Sequence, residues 1–225
     1  MTHVLDRPVW SALTTRQAQF AEGGPLALRF RPTTIPFAAA RDNSAECLAA
    51  LAALFRPGEE MVLAEPDEVV IPEGFTASVS ARVVQMTLTD TPPPVADARI
   101  ERLTDADAAE MLALATLTKP GPFTLGAQAL GPFFGVKIGG RLAAMAGVRM
   151  KQPGYTEMSG VCSHPDFRQR GLGRLLSVFM THRILDAGDT PYLHAFATNE
   201  AAIGLYRSIG YEVRTTLNVA MIKTA

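Results

Sequence analysis

The stretch Arg168-Gln169-Arg170-Gly171-Leu172-Gly173 constrains this chain more than any other. It follows an apolar, strand-like run, Glu157-Met158-Ser159-Gly160-Val161-Cys162, and opens an amphipathic helix through Leu175-Leu176-Ser177-Val178-Phe179-Met180. A strand, a glycine turn and a helix N-terminus in succession present free backbone N–H groups at the positive end of a helix dipole. That is a site for a phosphate or pyrophosphate. The two glycines let the backbone approach an anion with no Cβ in the way. Arg168, Arg170 and Arg174 surround the turn with positive charge.

Spacing separates the phosphate loops that such a turn could represent. A Walker A loop needs G-x-x-x-x-G-K-[ST], which does not occur. A dinucleotide fingerprint needs G-x-G-x-x-G, but Leu176 stands where the third glycine belongs. What remains is [RQ]-x-x-G-x-G after a strand and a His164-Pro165 step. This resembles the acyl-CoA pyrophosphate loop of the GNAT (GCN5-related) N-acetyltransferases. The downstream run Asn199-Glu200-Ala201-Ala202-Ile203-Gly204-Leu205-Tyr206-Arg207-Ser208-Ile209-Gly210-Tyr211 is similar to that family's N-x-x-A-x-x-L-Y-x-x-x-G-[FY] segment. Glu157, eleven residues before Arg168, sits at the offset of the general-base glutamate in the histone-acetylating branch. The run from Pro122-Phe123 through Gly147-Val148-Arg149-Met150 to His164-Pro165 resembles a bacterial branch related to the C-terminal half of the glycine N-acyltransferases. The resemblance covers about residues 98–225.

The resemblance implies acetyl-CoA as cosubstrate and assigns roles to individual residues. The turn of Arg168, Gln169, Arg170, Gly171, Leu172, Gly173 and Arg174 holds the pyrophosphate. The pantetheine arm, which carries amides, pairs like a short strand with Val161, Cys162 and Ser163. A backbone N–H near Val161 or Cys162 donates to the thioester carbonyl. Tyr206 is the general acid, since a phenol of pKa ~10 stays protonated at neutral pH and can protonate a departing thiolate. Glu157 is a candidate base, with two alternatives: an anchor for a cationic substrate, or a solvent-facing strand residue. Asn199 bonds the pantetheine, caps the helix beginning at Glu200, or does both. Cys162 reads as a buried thiol, with an acyl-enzyme nucleophile as the minor alternative. His182 and His194 read as ordinary helix and strand residues.

Composition limits the partners. Of the 225 residues 48% are hydrophobic, yet no apolar run is long enough for a membrane helix. The first residues lack the basic and apolar segments of a secretory signal. A net charge of −1 gives no reason to expect nucleic acid or an anionic membrane as partner. Cys47 and Cys162, both in apolar contexts, suit a cytoplasmic protein, and the histidines show no metal-ligand spacing. The expected partner is a small-molecule amine, with the chain a monomer or homodimer.

Thr91-Pro92-Pro93-Pro94 reads as a linker, because consecutive prolines join neither a helix interior nor a sheet. It divides the chain into an N-terminal α/β domain, 1–92, which could be a degenerate GNAT-like unit, and a GNAT domain, 93–225. The first half is expected to bind no CoA, since its Gly23-Gly24 pair leads into Pro25 and a strand, and to wall the acceptor site. Helices are expected over 11–21, 43–55, 105–117, 172–186 and 200–208. Strands are expected over 26–30, 61–64, 75–88, 98–102, 133–138, 142–150, 156–162, 192–197 and 213–222. The fold class is mixed α/β. The function read from this is acetyl transfer to a primary amine of a small molecule or amino acid. The alternatives are a larger acyl-CoA or a non-catalytic acyl-CoA-binding module. The loop 116–131 is the candidate acceptor loop.

Overall fold

Alternation of small and β-branched residues makes 75–88 a strand, and it is one of the longest in the molecule. The computed structural model describes residues 3–225. In its first half, α1 (Pro8–Thr14), β1 (Ala21–Gly23), β2 (Ala27–Phe30), β3 (Ala38–Ala40) and α2 (Ala45–Ala52) precede β4 (Met61–Glu65) and β5 (Phe75–Leu88). The second half runs β6 (Ile100–Leu103), α3 (Ala108–Thr118), β7 (Phe133–Ile138), β8 (Arg141–Gln152), β9 (Tyr155–Ser163), α4 (Leu172–Asp186), β10 (Thr190–Phe196), α5 (Glu200–Arg207) and β11 (Tyr211–Thr224).

The helix expected over 11–21 breaks up. It is replaced by α1, a short 3-10 turn over Ala18–Phe20, and β1. β3 was not expected at all. Three alanines after Pro36 carry no strand propensity, but all three are buried between β2 and the first core layer, so tertiary burial decides their conformation.

Eight strands form one mixed sheet, in the order β4-β11-β5-β10-β9-β8-β7-β6, and β1-β2-β3 form a small second sheet. Among the described strands only β9 and β10 pair in parallel, joined by the crossover helix α4. In this order the strands before and after the prolines share one sheet. β5 lies between β10 and β11, antiparallel to both, and is paired along its whole length with β11. β4 closes the same edge on β11. The prolines therefore mark no break in the sheet. Nor do they span open space, since His182 on α4 donates Nε2–H to the Pro92 carbonyl at 2.8 Å.

The core follows this sheet. Under α4 it gathers Leu172, Leu176, Met180 and Ile184 with Ala144, Met158, Leu193 and Tyr211. A second cluster mixes the two halves, with Val9, Leu13, Phe30, Phe37 and Val62 packed on Leu130 and Met150. No helix among the described residues is long and apolar enough to cross a membrane.

Candidate active site

Parallel pairing between β9 and β10 covers Thr190–Tyr155, Pro191–Thr156 and Tyr192–Glu157, and then stops. Beyond Glu157 the two strands part, and a cavity of about 200 Å³ opens at the gap. A bulge in β9 shapes the gap. The register on β8 slips between Met145 and Gly147, and Gly160 takes φ 65°. A side chain there would meet the Phe133 ring at 2.8 Å, so only glycine fits. After the bulge, His164 N–H donates to Ala143 O on β8 at 2.8 Å. Strand alternation then turns the Val161 and Ser163 N–H groups to the opposite, open edge. Val161 lines the cavity, whereas Cys162 points back into the core beside Leu103, Met111 and Phe133. Burial pushes the Cys162 thiol up to about 11, so it stays neutral and is no nucleophile at ordinary pH.

The glycine turn leads from the end of this strand into α4. Gln169 and Gly171 both take positive φ, 60° and 71°. For Gln169 that is uncommon backbone, and nothing in the sequence marks it. Gly171 is the N-cap of α4 and has no side-chain cap bond. The first helical bond is Leu175 N–H to Gly171 O, so the N–H groups of Leu172, Gly173 and Arg174 are left for an anion. Arg168, Gln169, Arg170 and Arg174 are exposed and Leu172 is buried. Gly173 lies against Ser163 Oγ, bringing the turn to the end of β9.

Across the gap, α5 brings two of the expected side chains to the cavity wall. Asn199 caps α5, its Oδ1 accepting from Ala202 N–H at 3.1 Å, while its Nδ2 donors have no partner among the described residues. Tyr206 also lines the cavity. Burial, then the nearby Cys162, pushes its phenol up to about 12. The hydroxyl of neighbouring Tyr211 is tied to Thr181 Oγ1 at 2.8 Å; that of Tyr206 has no partner among the described residues.

Glu157 does not face the cavity as expected of a base or a cation anchor. It is 0% exposed. Arg149 holds it through Nε to Oε2 at 2.9 Å and Nη2 to Oε1 at 2.6 Å. His194 Nδ1 adds a bond to Oε1 at 2.7 Å. Burial pushes the carboxyl up, but the Arg149 charge and the His194 and Arg149 hydrogen bonds outweigh it and hold it at about 2. Both oxygens are therefore occupied, and the group is a very weak base.

The network continues beyond His194. Arg214 Nε donates to Gln85 Oε1 at 2.6 Å, and Gln85 Nε2 donates to Leu5 O at 3.0 Å. An arginine nitrogen can only donate and a carbonyl can only accept, so the Gln85 amide has one orientation. Its Nε2 then also donates to His194 Nε2, 3.0 Å away. The proton of His194 is therefore on Nδ1, directed at Glu157. Asp6 closes the chain on Arg214 at 2.8 Å. Sequence reading passed over Arg149, His194, Gln85 and Arg214 as site residues. One signal was present: Arg149 and Glu157 are opposite charges in two apolar runs flanking the Pro153-Gly154 turn, which puts them across a hairpin.

The cavity walls come from both halves of the chain. Phe37, Val62, Ala64, Val79 and Val83 stand opposite Lys119, Pro120, Gly121 and Pro122, so the start of the 116–131 loop reaches the site. Phe123 instead packs edge-on against Phe133, at 5.5 Å between ring centres.

The comparisons with known proteins agree with this geometry. The FR47-like protein family model matches residues 134–219, from β7 to β11. A protein from Novosphingobium aromaticivorans, assigned as an acetyltransferase of the GNAT family, is 38% identical over 100% of both chains, with a TM-score of 0.93. A GCN5-related N-acetyltransferase from Kribbella flavida shares the fold at 16% identity, covering 93% of each chain with a TM-score of 0.64. A GCN5-related N-acetyltransferase-like protein from Streptococcus suis does so at 13% identity, covering 96% of this chain and 92% of its own, with a TM-score of 0.57. No curated protein matches the chain. The chain belongs to the GNAT family and is an acyltransferase.

Proposed function

We propose that this protein transfers an acetyl group from acetyl-CoA to the primary amine of a small acceptor that enters from the side of the N-terminal half. The observation that carries the reading is the gap between β9 and β10, bordered by the Val161 edge and by Tyr206. The residues present fit the cosubstrate. The N–H groups of Leu172, Gly173 and Arg174, with Arg168 and Arg170 nearby, suit a pyrophosphate. The outward N–H groups of Val161 and Ser163 suit the amides and thioester carbonyl of the arm, with Asn199 Nδ2 as a further donor.

The reaction forms a C–N bond and breaks a C–S bond. An N–H on the open edge of β9 stabilises negative charge as it grows on the carbonyl oxygen. The Tyr206 phenol, kept protonated by its burial, gives its proton to the departing sulfur, and the proton shed by the attacking nitrogen returns through water to the Tyr206 oxygen, restoring the phenol. Glu157 is not assigned the amine's proton; its part is to fix Arg149 and His194 at the floor of the gap.

Release of free CoA thiol from acetyl-CoA, measured across a panel of small amines with butyryl-CoA and octanoyl-CoA as comparisons, tests the reading. Amine-dependent release is expected, fastest with acetyl-CoA. No amine-dependent release, or a preference for octanoyl-CoA, would refute it.

A further inference from the structure

The charge that meets the cavity has the opposite sign to the one the sequence suggested. Glu157 is buried behind Arg149, and Arg149 lines the cavity with its side chain 13% exposed. Nε and Nη2 of Arg149 are both spent on Glu157. Nη1 has no hydrogen-bond partner among the described residues and is next to Gly121, on the loop that closes the cavity. One face of the guanidinium lies over the Phe37 ring, 4.9 Å from its centre. Arg149 is thus clamped on two sides, with Nη1 and the second N–H of Nη2 left over as donors at the cavity wall. Lys119, also at the cavity wall, makes no ion pair among the described residues. Around Arg149 the lining includes apolar Phe37, Val62, Ala64, Met150, Val219 and Met221, while His194, Asn199 and Tyr206 supply the other polar groups of the cavity.

A clamped guanidinium in a largely apolar chamber calls for an anion with planar oxygens and an apolar body. The acceptor must also carry an amine that reaches the gap between β9 and β10. From this we infer that the acceptor is a small apolar α-amino acid, its carboxylate held by Arg149 Nη1 and its side chain packed on Phe37 and Met150. The inference rests on the acetyltransferase reading and narrows it, making Arg149 the specificity-determining residue. Glu157 and His194 act through Arg149 and hold it in place. A cationic acceptor without a carboxylate is disfavoured, because its only charged neighbours in the cavity would be Arg149 and Lys119.

The test uses the full chain and equilibrium binding. Alanine, leucine and methionine are each titrated by calorimetry beside the matching amino acid amide and decarboxylated amine, with and without saturating CoA. The free acid is expected to bind about 10- to 100-fold more tightly than the other two for at least one side chain, the value of one charge-assisted hydrogen bond. Arg149→Lys keeps a positive charge for Glu157 but removes the second terminal nitrogen, and should bring the gap below about threefold. Equal binding of acid, amide and amine in all three sets would overturn the inference. So would tighter binding of the amines, or an unchanged preference in a folded Arg149→Lys protein. The wild-type comparison decides the matter even if that variant does not fold. Failure of the acetyltransferase reading shows separately, as absence of CoA binding, while the titrations without CoA still report on the carboxylate.

Discussion

The two ends of the cleft are built on opposite principles. At the glycine turn the groups proposed to bind the cosubstrate are backbone N–H donors, the arginines are exposed, and every residue lies between 168 and 174. At the floor of the gap the group proposed to bind the acceptor is one side chain, buried and held by a hydrogen-bonded chain through Arg149, Glu157, His194, Gln85, Arg214 and Asp6. Those residues come from β8, β9, β10, β5, β11 and the segment before α1. A cosubstrate end made of local backbone can be kept by a short motif. An acceptor end assembled from six separate places is free to change specificity, but it makes the two halves of the chain interdependent.

Removing the first half tests that interdependence most severely. Deletion of residues 1–92 takes away β4 and β5, leaving β10 and β11 without the strand between them. The fragment should fail to give a cooperative melt, and it should not bind CoA. A folded, CoA-binding fragment would mean that the cosubstrate end is independent after all.

Breaking the floor from within is the next largest effect. Arg149→Leu leaves Glu157 buried without its main partner, which should cost about 3–5 kcal/mol of unfolding free energy in a denaturant titration. The same substitution combined with Glu157→Leu should recover a large part of that loss. An Arg149→Leu protein of wild-type stability would show that the two ends do not differ in the way described.

Tyr206→Phe separates chemistry from binding at the boundary between the two ends. It should lower kcat about 10²-fold and leave acetyl-CoA affinity unchanged in the same preparation. Unchanged turnover would return Tyr206 to a packing role.

A smaller effect lies in acid. The Glu157 carboxyl is held at about 2 in the folded protein, below its unfolded value, so the unfolded state binds the proton more readily. Its contribution to stability is therefore complete above about pH 4.5 and lost as pH falls toward 2. The denaturation midpoint of the wild type should fall through that window more steeply than that of Glu157→Gln. Parallel curves would place the stabilising charge elsewhere.

These differences also explain what could be read from the chain beforehand. The helix over 172–186, the strand over 75–88 and the strand over 133–138 appear with the expected bounds, because periodicity and the flanking glycines are local. The strand–turn–helix order through 168–174 was legible for the same reason. The position of β5 between β10 and β11 was not, because pairing partners more than a hundred residues apart leave no trace in a single strand's pattern. Glu157 was singled out as a base, a cation anchor or a solvent-facing residue, but its burial behind Arg149 and His194 was not legible. Its direction depends on the β8–β9 register and on the Gly160 bulge. His194 and Gln85 look ordinary in sequence because each is one polar residue in an apolar run. Only their meeting gives them a role.

Calorimetric titration of acetyl-CoA into the wild type and into Gly171→Val tests the central claim most directly. Gly171 takes φ 71°, a backbone conformation that strains any residue with a side chain, while the space where its Cβ would stand is open, so a side chain there would obstruct the approach of an anion at some cost in stability. The account predicts one molecule of acetyl-CoA per wild-type chain. It also predicts a loss of more than about tenfold in affinity for a variant that keeps its melting transition. Equal affinity in the two proteins, or no binding to the wild type, would contradict it.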